Sequence, residues 1–246
     1  MGSSRLPGKV LKVLMGKPML WHIVDRVRAS EGVDYVLVAT SIRSENEVIR
    51  QFCAAENIAC FSGSEDDVLD RYFGAAKSAG ATDLLRITSD CPLVDPELIG
   101  RLISKYKQGS FDYMSVATGA GALHETRPTF PDGLDAEVFK FRALERAWHE
   151  ASQASDREHV TPFIWRNSKI FEQSKLFAET RFPQLRFSVD RPEDFELATR
   201  VYGALYRPDR HFRLSDVLKF LAANPQVADL NREGIGREGY EKLWNT

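Results

Sequence analysis

The chain has 246 residues, 43% hydrophobic and 28% charged, with a formal net charge of -2, a length and balance that suit one α/β domain over residues 1–246 with a substantial core. So small a net charge supplies no global field for DNA or RNA, which excludes nucleic acid as the expected partner and confines polyanion binding to local sites. The three cysteines, Cys53, Cys60 and Cys91, form no CxxC pair and match reduced thiols in a cytoplasmic protein, and no apolar run nears the roughly 20 residues that span a bilayer, which excludes membrane insertion.

The chain opens on a small, basic, glycine-bearing loop from Met1 to Lys9, followed shortly by Gly16-Lys17-Pro18-Met19. Gly2, Ser3 and Ser4 let the backbone approach an anion closely, and Arg5 and Lys9 add fixed positive charge, so the loop reads as a phosphate site. A strand normally anchors such a loop, and none precedes Met1. From Pro18, the apolar residues Met19, Leu20, Ile23, Val24 and Val27 line one helical face, and residues 35–40 read as a buried strand. Helix at 45–56, strand at 58–61, helix at 67–78 and strand at 83–88 continue the alternation. Strands separated by helices imply right-handed crossovers, hence a mainly parallel open sheet in a Rossmann-like α/β/α layering. A helix to about residue 107 and a strand at 112–116 follow. Residues 117–132, rich in Gly, Thr, Pro and Ala, read as a functional loop. The remainder predicts a strand at 134–139, helices at 142–152 and 157–166, strands near 170–174 and at 185–189, and helices at 192–205 and 215–223.

Two carboxylates stand where open α/β sheets bind ligands, at the carboxyl ends of strands. Asp90, in Ser89-Asp90-Cys91-Pro92, could hold Mg²⁺, which favours one or two carboxylates plus substrate phosphates, or it could cap the next turn. Asp190, before Arg191-Pro192-Glu193-Asp194, has the same two readings, with Pro192, Glu193 and Asp194 suited to a helical first turn. Together with the basic loop, the pair supplies the three parts of a Mg²⁺-dependent nucleotidyl transfer.

The stretches GSSRLPGKVL (2–11), GKPMLWHIVDRV (16–27), GSEDDVLDRYFGAA (63–76), RITSDCPLVDPELI (86–99), TFPDGLDAEVF (129–139), REHVTPFI (157–164) and SVDRPEDFE (188–196) resemble, in order, the cytidylyltransferases that activate acidic sugars. These include the acylneuraminate and 3-deoxy-manno-octulosonate enzymes, and the likeness is greatest to the spore coat polysaccharide biosynthesis protein F branch. The resemblance implies a nucleotidyltransferase fold and a cytoplasmic enzyme, compatible with a homodimer. Its expected reaction takes CTP and a 2-keto-3-deoxy sugar acid to a CMP-sugar and pyrophosphate with Mg²⁺, for surface polysaccharide. It places Ser3, Arg5 and Lys9 at the triphosphate, Asp90 and Asp190 on Mg²⁺, and Ser64, Asp67 and Arg71 near base and ribose. Asp132, Gly133, Asp135, Glu158 and His159 would face the sugar.

Bland readings stand beside these. Asp67 to Arg71 could be an acidic helix start, His159 a packed or capping histidine rather than a general base, and Phe130-Pro131-Asp132-Gly133 a turn that needs no ligand. Trp21, Trp148 and Trp165 read as core. Family members also begin with a central strand ending in Gln-Ala-Arg, which this chain lacks. Its loss would strip neighbouring strands of main-chain partners, so the expectation is an internal Met1 within a longer reading frame, or a truncated chain. An upstream stop codon together with a stable product would sink that. The alternatives are a nucleotide-sugar-dependent glycosyltransferase, although Ser89-Asp90-Cys91-Pro92 is no Asp-x-Asp motif, and a noncatalytic nucleotide-sugar-binding protein.

Overall fold

The computed structural model describes residues 5–118, 129–180, 182 and 185–234. Lys9–Leu11 form a short 3-10 turn, and a tight hairpin, β1 (Val13–Leu14) and β2 (Lys17–Pro18), leads into helix α1 (Met19–Arg28). The hairpin turns on Met15 and Gly16, both at positive φ (45° and 83°), a geometry that favours glycine at the second position. It is absent from the sequence reading because strands of two residues carry no period. In α1, Met19, Leu20, Ile23, Val24 and Val27 are buried as their helical spacing predicts.

Strand β3 (Leu37–Ser41), helix α2 (Glu47–Ala55), strand β4 (Ala59–Gly63), helix α3 (Val68–Ser78) and strand β5 (Asp83–Arg86) follow. Helix α4 (Pro96–Gln108) starts cleanly: the Asp95 carboxylate accepts the Glu97 N–H, and Pro96 fills a first-turn position where no N–H is needed. After β6 (Tyr113–Val116) come β7 (Glu137–Lys140), α5 (Phe141–Glu150), α6 (Ala154–His159), α7 (Pro162–Arg166), β8 (Gln173–Leu176), α8 (Pro192–Leu205), α9 (Leu214–Ala223) and the short α10 (Pro225–Ala228). The single helix expected at 157–166 is two. Val160 sits at φ 75°, and Pro162 brings no N–H to continue a helix.

The strands pair in two groups besides the hairpin: β3 with β4 in parallel, and a four-stranded sheet in the order β5-β7-β6-β8. There β6 and β8 are parallel, while β7 runs antiparallel to both β5 and β6. Among its described residues the β6-to-β7 connection contains no helix, and antiparallel neighbours need no crossover helix between them. Ladder pairing is interrupted between β3 and β5, each bonded on one edge only among the described strands. The segment expected as a strand at 185–189 forms no ladder among the described residues; it is joined to its neighbours by an isolated parallel bridge between Arg186 and Asp132, with Phe187 N–H to Asp132 O at 2.7 Å, and by Val189 N–H to Asp90 O at 2.8 Å.

Layering follows the two-residue alternation of the strands. Met114, Val116, Val138 and Leu176 face a core shared with α1, α4, α8 and α9, whereas Tyr113 and Phe139 face a second core with α3, α5 and α7. No described helix is long and apolar enough to cross a membrane.

His22 of α1 is buried, with a ring nitrogen 2.7 Å from the Leu14 carbonyl and its ring 4.6 Å from that of Tyr202. Burial lowers its pKa below the ordinary value of 6.5 despite the Leu14 bond and the Asp25 charge. As pH falls below about 6.5, the unfolded chain takes up a proton that the native state refuses. The native state is therefore fully favoured above that pH and loses stability below it. The melting temperature should fall on acidification from neutral pH, and His22→Gln should flatten that decline. An unchanged slope would exclude His22 as its source.

Candidate active site

Asp90 and Asp190, far apart in sequence, meet in space. Asp90 lies in the turn after β5, its carbonyl held by the Val189 N–H, so the backbone leading into Asp190 is joined to that of Asp90. Lys9 Nζ stands between the two side chains, 3.3 Å from Asp90 Oδ2, 2.8 Å from Asp190 Oδ1 and 2.7 Å from the Val189 carbonyl. Arg5 Nη2 lies 3.3 Å from Asp190 Oδ2 and is half exposed. Arg5, Lys9, Asp90 and Asp190 thus form one cluster. Gly2, Ser3 and Ser4 lie outside the described residues.

Asp190 is held from several sides. Its N–H and that of Arg191 both donate to Asp194 Oδ2 at 2.9 Å. Asp194 therefore caps α8 and leaves the Asp190 carboxylate free of that duty. Asp190 Oδ2 accepts from Arg186 Nη2 at 2.7 Å. Burial alone would raise the Asp190 carboxyl, but the Lys9 bond and the charges of Lys9, Arg186 and Arg5 outweigh it and hold the group below the usual carboxylate range.

The same guanidinium reaches the expected sugar side. Arg186 Nη1 donates to Asp132 Oδ2 at 2.6 Å, and the Ser188 hydroxyl donates to that oxygen at 2.5 Å. Asp135 accepts from the Thr118 hydroxyl at 2.5 Å and the Gly133 N–H at 2.8 Å. Burial, then the charges of Glu137 and Asp90, push the Asp135 carboxyl up against those two hydrogen bonds. Gly133 has φ 90°, and a Cβ there would lie 2.2 Å from Ser188 N. The turn therefore seats directly on the main chain that carries Arg186 and Asp190.

The other expected site residues are spread further out. Ser64 Oγ accepts the Asp67 N–H at 3.0 Å, and Asp67 caps α3 through the Asp70 N–H at 2.8 Å while ion-pairing with Arg157. Arg71 Nη1 donates to the Ser64 carbonyl at 2.5 Å, and its Nε is buried with no hydrogen-bond partner. No hydrogen bond or ion pair among the described residues links this corner to Asp90 and Asp190. The Glu158 side chain is 71% exposed, whereas His159 is partly covered. Burial, and then Arg86, lower the His159 pKa against the pull of Glu158 and Glu137.

Sequence reasoning missed Arg186, Ser188 and Glu137. Arg186, Ser188 and Asp190 fall at alternate positions among Leu185, Phe187 and Val189, and that period of two was the available signal for one polar face. Glu137 accepts from Tyr113 at 2.6 Å, Thr161 at 2.7 Å and Arg86 at 2.6 Å, a hub assembled from three distant segments.

Two carboxylates that already share a positively charged nitrogen have the donor chemistry of a Mg²⁺ site, so the residues present fit that ion. Among the described residues no group of three or more His, Cys, Asp or Glu could hold a metal. A pair completed by substrate phosphates and water suits Mg²⁺, which keeps much of its shell outside the protein.

A sequence model of the family described as cytidylyltransferase matches residues 1–213. The spore coat polysaccharide biosynthesis protein SpsF of Bacillus subtilis is 31% identical, over 93% of this chain and 93% of its own length. The 3-deoxy-manno-octulosonate cytidylyltransferase of Anaeromyxobacter sp. (strain K) is 34% identical over 82% of this chain and 94% of its own. The structure of a cytidylyltransferase from Leptospira borgpetersenii serovar Hardjo-bovis superposes with a TM-score of 0.82 at 24% identity, covering 93% of this chain and 92% of that one. The fold is accordingly the Rossmann-like nucleotidyltransferase fold, and the chain belongs to the cytidylyltransferase family; it is a nucleotidyltransferase.

Proposed function

We propose that the chain transfers CMP from CTP to the anomeric hydroxyl of an acidic sugar, a 2-keto-3-deoxy acid, with Mg²⁺, and that the CMP-sugar feeds surface polysaccharide assembly. The observation that carries this reading is the convergence of Asp90 and Asp190 on Lys9 beside Arg5. The sugar oxygen attacks the α-phosphorus in line and its hydroxyl proton passes to water, the bond from that phosphorus to the bridging oxygen breaks, and pyrophosphate leaves with the electron pair. Arg5 and Lys9 balance charge on the triphosphate, a stabilisation that grows as the leaving group separates. Asp90 and Asp190 would hold Mg²⁺, which when bound supplies Lewis-acid polarisation of phosphate oxygens. Ser64, Asp67 and Arg71 would contact base and ribose. Asp132, Asp135, Glu158 and His159 would meet the sugar, with Gly133 shaping the turn between the first two.

The chemistry predicts that pyrophosphate release, assayed with CTP, ATP, GTP and UTP against a panel of 2-keto-3-deoxy sugar acids, occurs with CTP and only when an acceptor is present. Release that ignores the sugar, or that favours another nucleotide, would refute the reading.

A further inference from the structure

We infer that Lys9 is an internal cation that keeps Asp90 and Asp190 assembled as a pair in the free protein, and that it yields this place to a divalent ion when a nucleotide triphosphate enters. The inference rests on the proposed reading of the two aspartates as the metal-holding residues, and it adds an order of events.

Two carboxylates this close repel, so without a cation between them one would turn away. Lys9 prevents that. Its ammonium has three N–H donors, and its three oxygen partners are Asp90, Asp190 and the Val189 carbonyl. The Lys9 side chain is only 12% exposed, so these oxygens replace most of its water. The ammonium lies where a divalent ion shared by both carboxylates would lie, and two positive centres within a few ångströms oppose each other strongly in a part-buried site. One must leave. Lysine is a compact charge on a flexible four-carbon stem, suited to swinging from one anion to another without backbone movement.

Arg186 behaves differently. Its fork, 5% exposed, binds Asp132 and Asp190 and reaches Asp194, so it stays as the fixed anchor of Asp190 Oδ2 while Lys9 releases Oδ1. The oxygens of a triphosphate offer Lys9 an alternative partner of higher charge, so nucleotide and metal should each raise the affinity for the other by the same factor.

The test measures Mn²⁺ binding by electron paramagnetic resonance in the full chain, for wild type, Lys9→Met and Asp190→Asn, with and without CTP. Without nucleotide, wild type should bind Mn²⁺ weakly, and Lys9→Met should bind it at least roughly tenfold more tightly because the competing charge is gone. The melting temperature of Lys9→Met should be lower than that of wild type in EDTA and should recover with Mg²⁺, while wild type without nucleotide should barely respond. Folding of Lys9→Met only with Mg²⁺ supports the exchange directly, whereas failure to fold even with Mg²⁺ overturns it. Equal or weaker Mn²⁺ binding by Lys9→Met also overturns it, and the metal reading then survives if CTP-dependent Mn²⁺ uptake by wild type is lost in Asp190→Asn. Uptake that does not depend on Asp190 brings down both.

Discussion

Asp90→Asn is expected to lower turnover about a thousandfold or more while leaving the melting temperature nearly unchanged. The Asp90 carboxylate is 29% exposed and meets Lys9 at 3.3 Å and the Cys91 thiol at 3.5 Å; an amide of the same shape costs little packing, and Lys9 keeps the shorter bonds to Asp190 and the Val189 carbonyl. Its backbone carbonyl, which holds Val189, is untouched by the substitution. Asp190→Asn should lower turnover as severely but should also destabilise the chain by about 2 kcal/mol, because Lys9, Arg186 and Arg5 all lose their shared counter-charge. The contrast between the two is the informative result. If Asp90→Asn keeps wild-type turnover, Asp90 does not hold the metal.

Gly133→Ala is expected to cost roughly 3 kcal/mol or more, a fall in melting temperature of about 6–12 °C for a chain of this size. The added methyl would lie 2.2 Å from Ser188 N and 2.4 Å from the Phe187 carbonyl carbon. Both are main-chain atoms, so no side chain can swing aside, and the φ of 90° strains any residue with a Cβ. The displaced turn would carry Asp132 from Arg186 and Asp135 from Thr118. Turnover in the surviving folded fraction should therefore show a raised KM for the sugar acid with KM for CTP less affected. A thermal or urea midpoint equal to that of wild type would contradict this close approach.

Local signals made much of the molecule legible. Helices α1, α4 and α8 are written in short-range features, an apolar stripe in α1, Asp95-Pro96 at the start of α4 and Pro192 at the start of α8, and each needs only its own neighbours to form. Asp90 and Asp190 stood out as aspartates after apolar strand-like runs. Their meeting was not visible, because it depends on the Val189 to Asp90 bond and on Lys9, contacts spanning 99, 81 and 181 positions. The direction of β7 was hidden for a similar reason. Periodicity reports that Val138 and Phe139 face opposite sides, whichever way the strand runs. The role of Arg186 was not legible locally, because its three carboxylate partners come from two loops and a helix start.

A Mg²⁺ titration of CTP-dependent, sugar-acid-dependent pyrophosphate release by wild type and Asp90→Asn, with CMP-sugar formation followed in parallel, tests the paired aspartates most directly. The expected result is saturable Mg²⁺ dependence in wild type, equal amounts of pyrophosphate and CMP-sugar, and near-complete loss in Asp90→Asn at every Mg²⁺ concentration. Full activity of wild type in EDTA, or a Mg²⁺ profile that Asp90→Asn shares with it, would contradict the Asp90 and Asp190 site.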